Sequence, residues 1–222
     1  MIRIHVICEG QTEEMFINEV LSPFFDSKEI YLQPALIGKP GHKGGNVKFE
    51  RLLIDIQNRL NDKTAYCTTF FDFYGLPENF PGKKIATTKT NIIDKASCVL
   101  DSLIQQLEKN LGKEPLSRFI PYIQMYEFEG LLFSDSEKLA RGIDQLKLAT
   151  KFKEIRDQFN APEEINNSPD TAPSKRIGKI YPAYEKPIHG SLAAIEIGLS
   201  VIRRECLHFD AWLTRLEKLQ PI

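Results

Sequence analysis

The feature that most constrains this chain is an alternation in its first 135 residues. Short apolar runs ending in turn residues take turns with longer stretches of helical periodicity. Ile2–Cys8 is one such run, stopped by Glu9-Gly10-Gln11-Thr12. Residues 31–37, 65–73 and 119–126 are three more; 65–73 is rich in β-branched and aromatic side chains. After the first run, Phe16, Val20 and Leu21 give an apolar stripe to a helix that Thr12 can cap and Pro23 closes. Glu13 and Glu14 fall in its first turn, where the helix dipole favours acids. Phe49, Leu52, Leu53, Ile56 and Leu60 predict a helix over 47–61, and Ile92–Leu111 a long amphipathic helix stopped by Gly112. Strands separated by helices cannot be joined as hairpins. The four are expected to form one parallel sheet with helices on both faces, an α/β fold.

Beyond residue 135 only helical patterns and loops remain. Residues 145–159 read as one helix, and 191–197, 200–206 and 210–219 as short ones, with Gly198 stopping the first of the three. Residues 166–174 read as a polar loop with two prolines. The expected organisation is a sheet core over 1–135 and a helical C-terminal part over 136–222, packed on it. A chain of 222 residues buries about 70% of its unfolded surface and needs no covalent staples. Its cysteines (Cys8, Cys67, Cys98, Cys206) form no Cys-x-x-Cys pair, so no zinc knuckle or redox motif is indicated. The longest apolar stretch, 192–202, contains Glu196 and is too short to span a bilayer. Glu9 interrupts the N-terminus before a signal core can form. A soluble, cytoplasmic protein without a membrane partner is expected.

In an open α/β sheet ligands bind outside the carboxyl ends of the strands. Three of the four expected strands end in acids: Glu9 after the first, Asp72 after the third, Glu127 and Glu129 after the fourth. Glu13 lies one helical turn past Glu9. Each has an ordinary reading alone. Glu13 can simply serve the dipole, Asp72 precedes a Gly-Leu-Pro turn, and Glu127 and Glu129 can be a solvated first turn. Together they place several carboxylates on one edge, where they repel one another unless a proton or cation intervenes. Oxygen ligands of this kind suit Mg²⁺ or Mn²⁺, and such ions commonly serve phosphoryl transfer.

These residues carry a resemblance. Val6-Ile7-Cys8-Glu9-Gly10-Gln11-Thr12-Glu13 resembles the glutamate motif of the Toprim superfamily, and Thr69-Phe70-Phe71-Asp72-Phe73-Tyr74-Gly75 resembles its Asp-x-Asp strand end. A wider pattern is similar to the bacterial family called domain of unknown function 4276, over nearly the whole chain. It includes Tyr126-Glu127-Phe128-Glu129-Gly130-Leu131-Leu132-Phe133, Pro173-Ser174-Lys175-Arg176-Ile177, 184–190 and Ile202-Arg203-Arg204-Glu205-Cys206. The resemblance implies a Toprim-like (Rossmann-like) fold and Mg²⁺- or Mn²⁺-dependent chemistry on nucleic acid. Overcoming-lysogenization-defect nucleases and effectors encoded beside ATPases in phage-defence loci are such relatives, so an ATPase partner is implied. In those nucleases the motifs supply metal ligands that match Glu9, Glu13 and Asp72. The second Asp of Asp-x-Asp is Tyr74 here. The set therefore needs Glu127 or Glu129, or holds one ion.

Nucleic acid, DNA or RNA, also needs cations for its phosphates. Net charge of −1 argues against non-specific coating but leaves room for a local basic groove. Candidate contacts are Lys39, Lys43 and Lys48 with His42 in a glycine-rich loop, Lys83 and Lys84 with Lys89, and Lys175, Arg176, Lys179, Lys186 and His189 beside Tyr181 and Tyr184. In the leading expectation Glu9 is a metal ligand or general base. Glu13, Asp72, Glu127 and Glu129 complete the cation site. Lys175, Arg176 and Lys186 hold phosphate or stabilise transition-state charge, and His189 is a base or phosphate ligand. His208 reads as structural. No Gly-x-Ser-x-Gly elbow, Walker loop or Gly-x-Gly-x-x-Gly fingerprint is present. Two other readings fit the same residues: a non-catalytic module that docks on an ATPase or nucleic acid, and a phosphatase or nucleotidyl-transfer enzyme for a small molecule.

Overall fold

The computed structural model describes residues 1–38, 44–45, 47–166 and 168–222. Four strands, β1 (Ile2–Cys8), β2 (Ile30–Leu36), β3 (Tyr66–Phe70) and β4 (Phe119–Ile120), form one sheet in the order β2-β1-β3-β4. Every pairing is parallel. From β1 the chain leaves toward β2, and from β3 toward β4, so the crevice between the carboxyl ends of β1 and β3 is the topological switch point.

Side chains alternate across the sheet. Ile4, Val6, Cys8 and Phe70 enter one core, Ile7 and Cys67 the other. The second core is covered by α3 (Phe49–Leu60) and α5 (Ile92–Leu111), the first by α1 (Gln11–Phe16) and the C-terminal helices. Trp212 carries much of that docking. Its ring stacks on Phe70 and Tyr122 at 5.4 and 4.4 Å, and its indole N–H donates to Thr68 Oγ1 at 2.9 Å. Burial of that aromatic area helps hold the helix that brings it against the sheet.

Three local expectations are corrected. The first helix begins at Gln11 with Gly10, not Thr12, as its cap; the Glu13 carboxylate reaches back to accept the Gly10 N–H at 2.9 Å. Helical structure also runs past Pro23. A π turn over Ile17–Leu21 widens the ladder just ahead of it, and α2 (Ser22–Asp26) then takes the proline in its first turn. The fourth strand is cut to two residues because Pro121 has no N–H to give the ladder. The Thr69 hydroxyl takes the ladder's place, donating to Tyr122 O at 2.7 Å and accepting Tyr122 N–H at 3.0 Å. Pairing resumes beyond it, with Gln124 N–H donating to Phe71 O and Phe73 N–H to Gln124 O, both at 2.8 Å. This late pairing brings the segment after Asp72 alongside Glu127.

The remaining helices are α4 (Lys83–Ala86), α6 (Lys113–Leu116), α7 (Glu129–Leu132), α8 (Ser136–Gly142), α9 (Ala149–Arg156), α10 (Pro173–Ile180), α11 (Lys186–Ile197), α12 (Leu199–Glu205) and α13 (Leu207–Glu217). The long helix matches its expected bounds, with Asn91 Oδ1 accepting Asp94 N–H at 2.8 Å as a cap. α10 begins in the last two residues of the expected polar loop; Pro173, in its first turn, is a helix-start signal as much as a loop signal. Among the described residues no helix is long and apolar enough to cross a membrane.

Candidate functional site

The acids at the carboxyl edge do meet. Glu9 leaves the end of β1, and one of its oxygens accepts the Asp72 N–H at 3.3 Å. Its carboxylate lies flat over Gly75: a β-carbon there would stand 2.3 Å from both oxygens, so only glycine leaves room. Asp72 Oδ1 accepts the Phe128 N–H at 2.8 Å, tying the third strand's end to the segment that carries Glu127 and Glu129. Glu127 Oε2 accepts the Ser174 N–H at 2.9 Å, which fixes the start of α10 against the rim. Glu129 is fully buried. One of its oxygens takes Lys186 Nζ at 3.1 Å, and the other has no hydrogen-bond partner among the described residues.

The electrostatics follow from this crowding. Burial is the largest cause of the upward shift at Glu9, Glu13, Asp72 and Glu129. Neighbouring carboxylates add to it: Glu127 acts on Glu9, Glu9 on Glu13, and Glu13, Glu9 and Glu129 on Asp72. Glu129 is pushed up to about 7. Burial works against the charge of Lys186, yet Glu129, Glu127 and Asp72 outweigh it and hold its pKa above the ordinary value. Its ammonium stands 3.7 Å from Glu127. Among the described residues no three acidic, thiol or imidazole groups already stand as a metal cage. Lys186 is a partly exposed counter-charge beside a set of carboxyl groups that outnumber it.

The same lysine opens into a cleft of about 550 Å³ between α10 and α11, where Lys175, Lys179, Ser174 and Tyr184 join it. Lys175 is exposed, and Lys179 donates to Asp170 O at 3.1 Å. The Tyr184 hydroxyl is buried without a partner among the described residues, and burial and Glu129 both raise its pKa. His189 accepts the Glu185 N–H on Nδ1 at 2.8 Å and stacks on Tyr184 at 5.8 Å. That leaves only Nε2, as an N–H donor, to face a ligand while the ring is neutral.

Other expected residues lie apart. The Arg176 side chain turns from the cleft, donating to Thr171 O at 2.7 Å with its guanidinium 5.3 Å over the Phe159 ring. Lys83 is buried, with its ammonium on Phe73 O and 3.3 Å over the Phe73 ring. Burial, then Lys95, lowers its pKa to about 7, so it presents no exposed charge to a phosphate. Lys84 and Lys89 are exposed on or just after α4, and Lys48 is the exposed cap of α3. Lys39, His42 and Lys43 lie outside the described residues. The glycines that follow them do touch the rim, since Gly45 N–H donates to Glu9 O at 2.8 Å. His208 is structural, as expected: Nε2 pairs with Ile123 O at 3.0 Å beside Tyr122.

Sequence reasoning did not find the parts played by Gly75, Ser174 and the Tyr184 hydroxyl. Only Gly75 carried a local signal, as the glycine of the turn after Asp72. Tyr126, directly before Glu127, has a φ of 62°, a strained conformation for an aromatic residue.

No curated protein and no solved structure matches this chain. The model of the domain of unknown function DUF4276 matches residues 8–217, and the chain belongs to that family.

Proposed function

We propose that this chain is a divalent-metal-dependent hydrolase that cleaves phosphodiester bonds of nucleic acid in the cytoplasm, on a Toprim-like scaffold. The observation that carries this reading is the rim itself. Glu9, Glu13, Asp72, Glu127 and Glu129 gather at the switch point with the Lys186 ammonium among them, and the rim continues into a lysine-lined cleft.

The donor set fits Mg²⁺ or Mn²⁺ by chemistry. It is all oxygen, its carboxyl groups outnumber the one lysine beside them, and a buried Glu129 oxygen lacks a partner among the described residues. Glu9, Glu13, Asp72 and Glu129 would hold the ion, which supplies positive charge to polarise a phosphoryl oxygen. Glu9, whose pKa burial raises, would take the proton of an attacking water where it does not hold the ion. Lys186 neutralises charge as it develops on the phosphate. Lys175 and Lys179 hold flanking phosphates, and the rings of Tyr184 and His189 sit where an unstacked base would lie. The test is Mn²⁺- or Mg²⁺-dependent cleavage of a plasmid and of single strands by wild type and Glu9→Gln. The account expects cleavage by the wild type alone; equal cutting by both contradicts it.

One observation favours a second reading. Lys186 already supplies a cation to Glu127 and Glu129, as in a scaffold that has given up its ion and only docks on nucleic acid or an ATPase partner. Binding of single strands without any uptake of Mn²⁺ would select it.

A further inference from the structure

A second concavity, of about 410 Å³, has Tyr126 in its wall and differs in kind from the lysine cleft. Among the described residues neither lysine nor arginine lines it. Its walls are the aromatic residues Tyr126 and Phe159, the polar side chains Thr90, Gln158 and Asn166, and the carboxylate of Glu164. Such a lining rejects a phosphate and suits a flat, uncharged ring with polar edges.

Asn166 makes the pocket specific. It is 1% exposed, and its amide nitrogen has no partner among the described residues. The orientation of the amide is settled by its other end, where Oδ1 accepts the Ser168 N–H at 2.8 Å and the Thr171 hydroxyl at 3.4 Å. The nitrogen therefore keeps two uncommitted N–H donors in a residue of the pocket wall. A buried donor left unpaired costs about 1–3 kcal/mol, which a ligand acceptor recovers. Glu164 uses one oxygen on Asn160 N–H at 3.3 Å, so its other oxygen is left as an acceptor in the same lining. Tyr126 adds an independent sign: its positive φ is strain of about 1–3 kcal/mol held in the pocket wall, one residue from Glu127.

We propose that this pocket is a base-recognition site for an unpaired guanine. Guanine presents a carbonyl acceptor for Asn166 beside two N–H donors for the Glu164 carboxylate, and its flat ring suits a wall that carries Tyr126 and Phe159. Uracil sets a carbonyl on each side of its one N–H and so turns lone pairs toward Glu164. Adenine and cytosine each offer the carboxylate one amino group. The inference extends the nucleic-acid reading above but stands on residues outside the carboxylate rim. It gives a cleaving enzyme a preference for guanine next to the cut.

The test uses the full chain in EDTA, so that hydrolysis plays no part, and titrates guanosine, adenosine, cytidine and uridine by saturation-transfer NMR and calorimetry. Guanosine is expected to bind at least 10-fold more tightly than uridine. Asn166→Asp keeps the acceptor for Ser168 while removing the donors, and Thr90→Phe fills the mouth without touching Asn166. Both are expected to weaken guanosine at least 10-fold, with an unchanged melting curve for Thr90→Phe. Equal binding of all four nucleosides overturns the guanine assignment. Binding of none, or guanosine binding unchanged in Thr90→Phe, overturns the pocket. None of these outcomes depends on metal or cleavage, so loss of the hydrolase reading leaves this one standing or falling separately.

Discussion

At the amino-terminal end of the sheet, Asp62 sits 3.0 Å from Arg3 and accepts both the N–H and the hydroxyl of Thr64, at 3.0 and 2.7 Å. Those Thr64 bonds, with Arg3, hold its pKa down to about 2. Glu217 is likewise gripped by Arg203 and Lys28, whose hydrogen bonds outweigh its burial and lower its pKa. At the carboxyl end the shifts run the other way: Glu9, Glu13, Asp72 and Glu129 are all raised. One end pairs each acid; the other collects acids around a single lysine. An arrangement that costs folding energy, placed where an open α/β sheet binds ligands, is what the proposed cation site rests on.

The largest way to break this contrast is to remove a rim acid. Asp72→Asn keeps the acceptor for Phe128 N–H, and Glu9→Gln keeps the one for Asp72 N–H. Each should lower metal-dependent cleavage about 1,000-fold, or about 4 kcal/mol. The melting temperature of the metal-free protein should hold or rise, since repulsion is relieved. A fall of several degrees would mean that the acid was structural.

Next comes the pH dependence of metal-free stability. Folded Glu129 keeps its proton up to about pH 7, above its ordinary 4.5. Its contribution is therefore complete below about 4.5 and lost as the pH rises through 7, a decline of about 3 kcal/mol. Urea unfolding at pH 4.5 and pH 7.5 should show a smaller decline in Glu129→Gln, and a steeper one in Lys186→Met, which strips the carboxylate of its counter-charge.

Gly75→Ala is milder. Its methyl group must push Glu9 aside, because the clashing atoms are the tip of a side chain rather than backbone. A loss of about 10-fold in cleavage with an ordinary melting curve is expected. Smallest is Asp62→Asn. The carboxylate is only half-buried and screened by solvent, so its loss should cost below about 1 kcal/mol. Because its folded pKa is depressed, that stability is present above about pH 4 and fades as the pH falls toward 2. Cleavage should not change.

Much of this contrast was legible as strand ends. Glu9 and Asp72 follow apolar runs directly, and parallel strands must place such ends on one edge, so convergence followed from topology alone. The Ile92–Leu111 helix was legible because Asn91 and Gly112 mark its ends chemically. What stayed hidden depends on residues far apart in sequence. Lys186 reads as one lysine among several until α11 lays it on Glu129, 57 residues away. Lys83 reads as a surface cation until the ring and carbonyl of Phe73 bury it. The shortening of the fourth strand hung on Pro121 and on a Thr69 hydroxyl that competes with the ladder, a balance that strand propensity does not register.

The central claim is tested most directly by titrating the metal-free protein with Mn²⁺ in a calorimeter. The account predicts saturable binding by the wild type and by Asp62→Asn, and its loss in Asp72→Asn. No heat of binding to the wild type, or equal binding to Asp72→Asn, would contradict it.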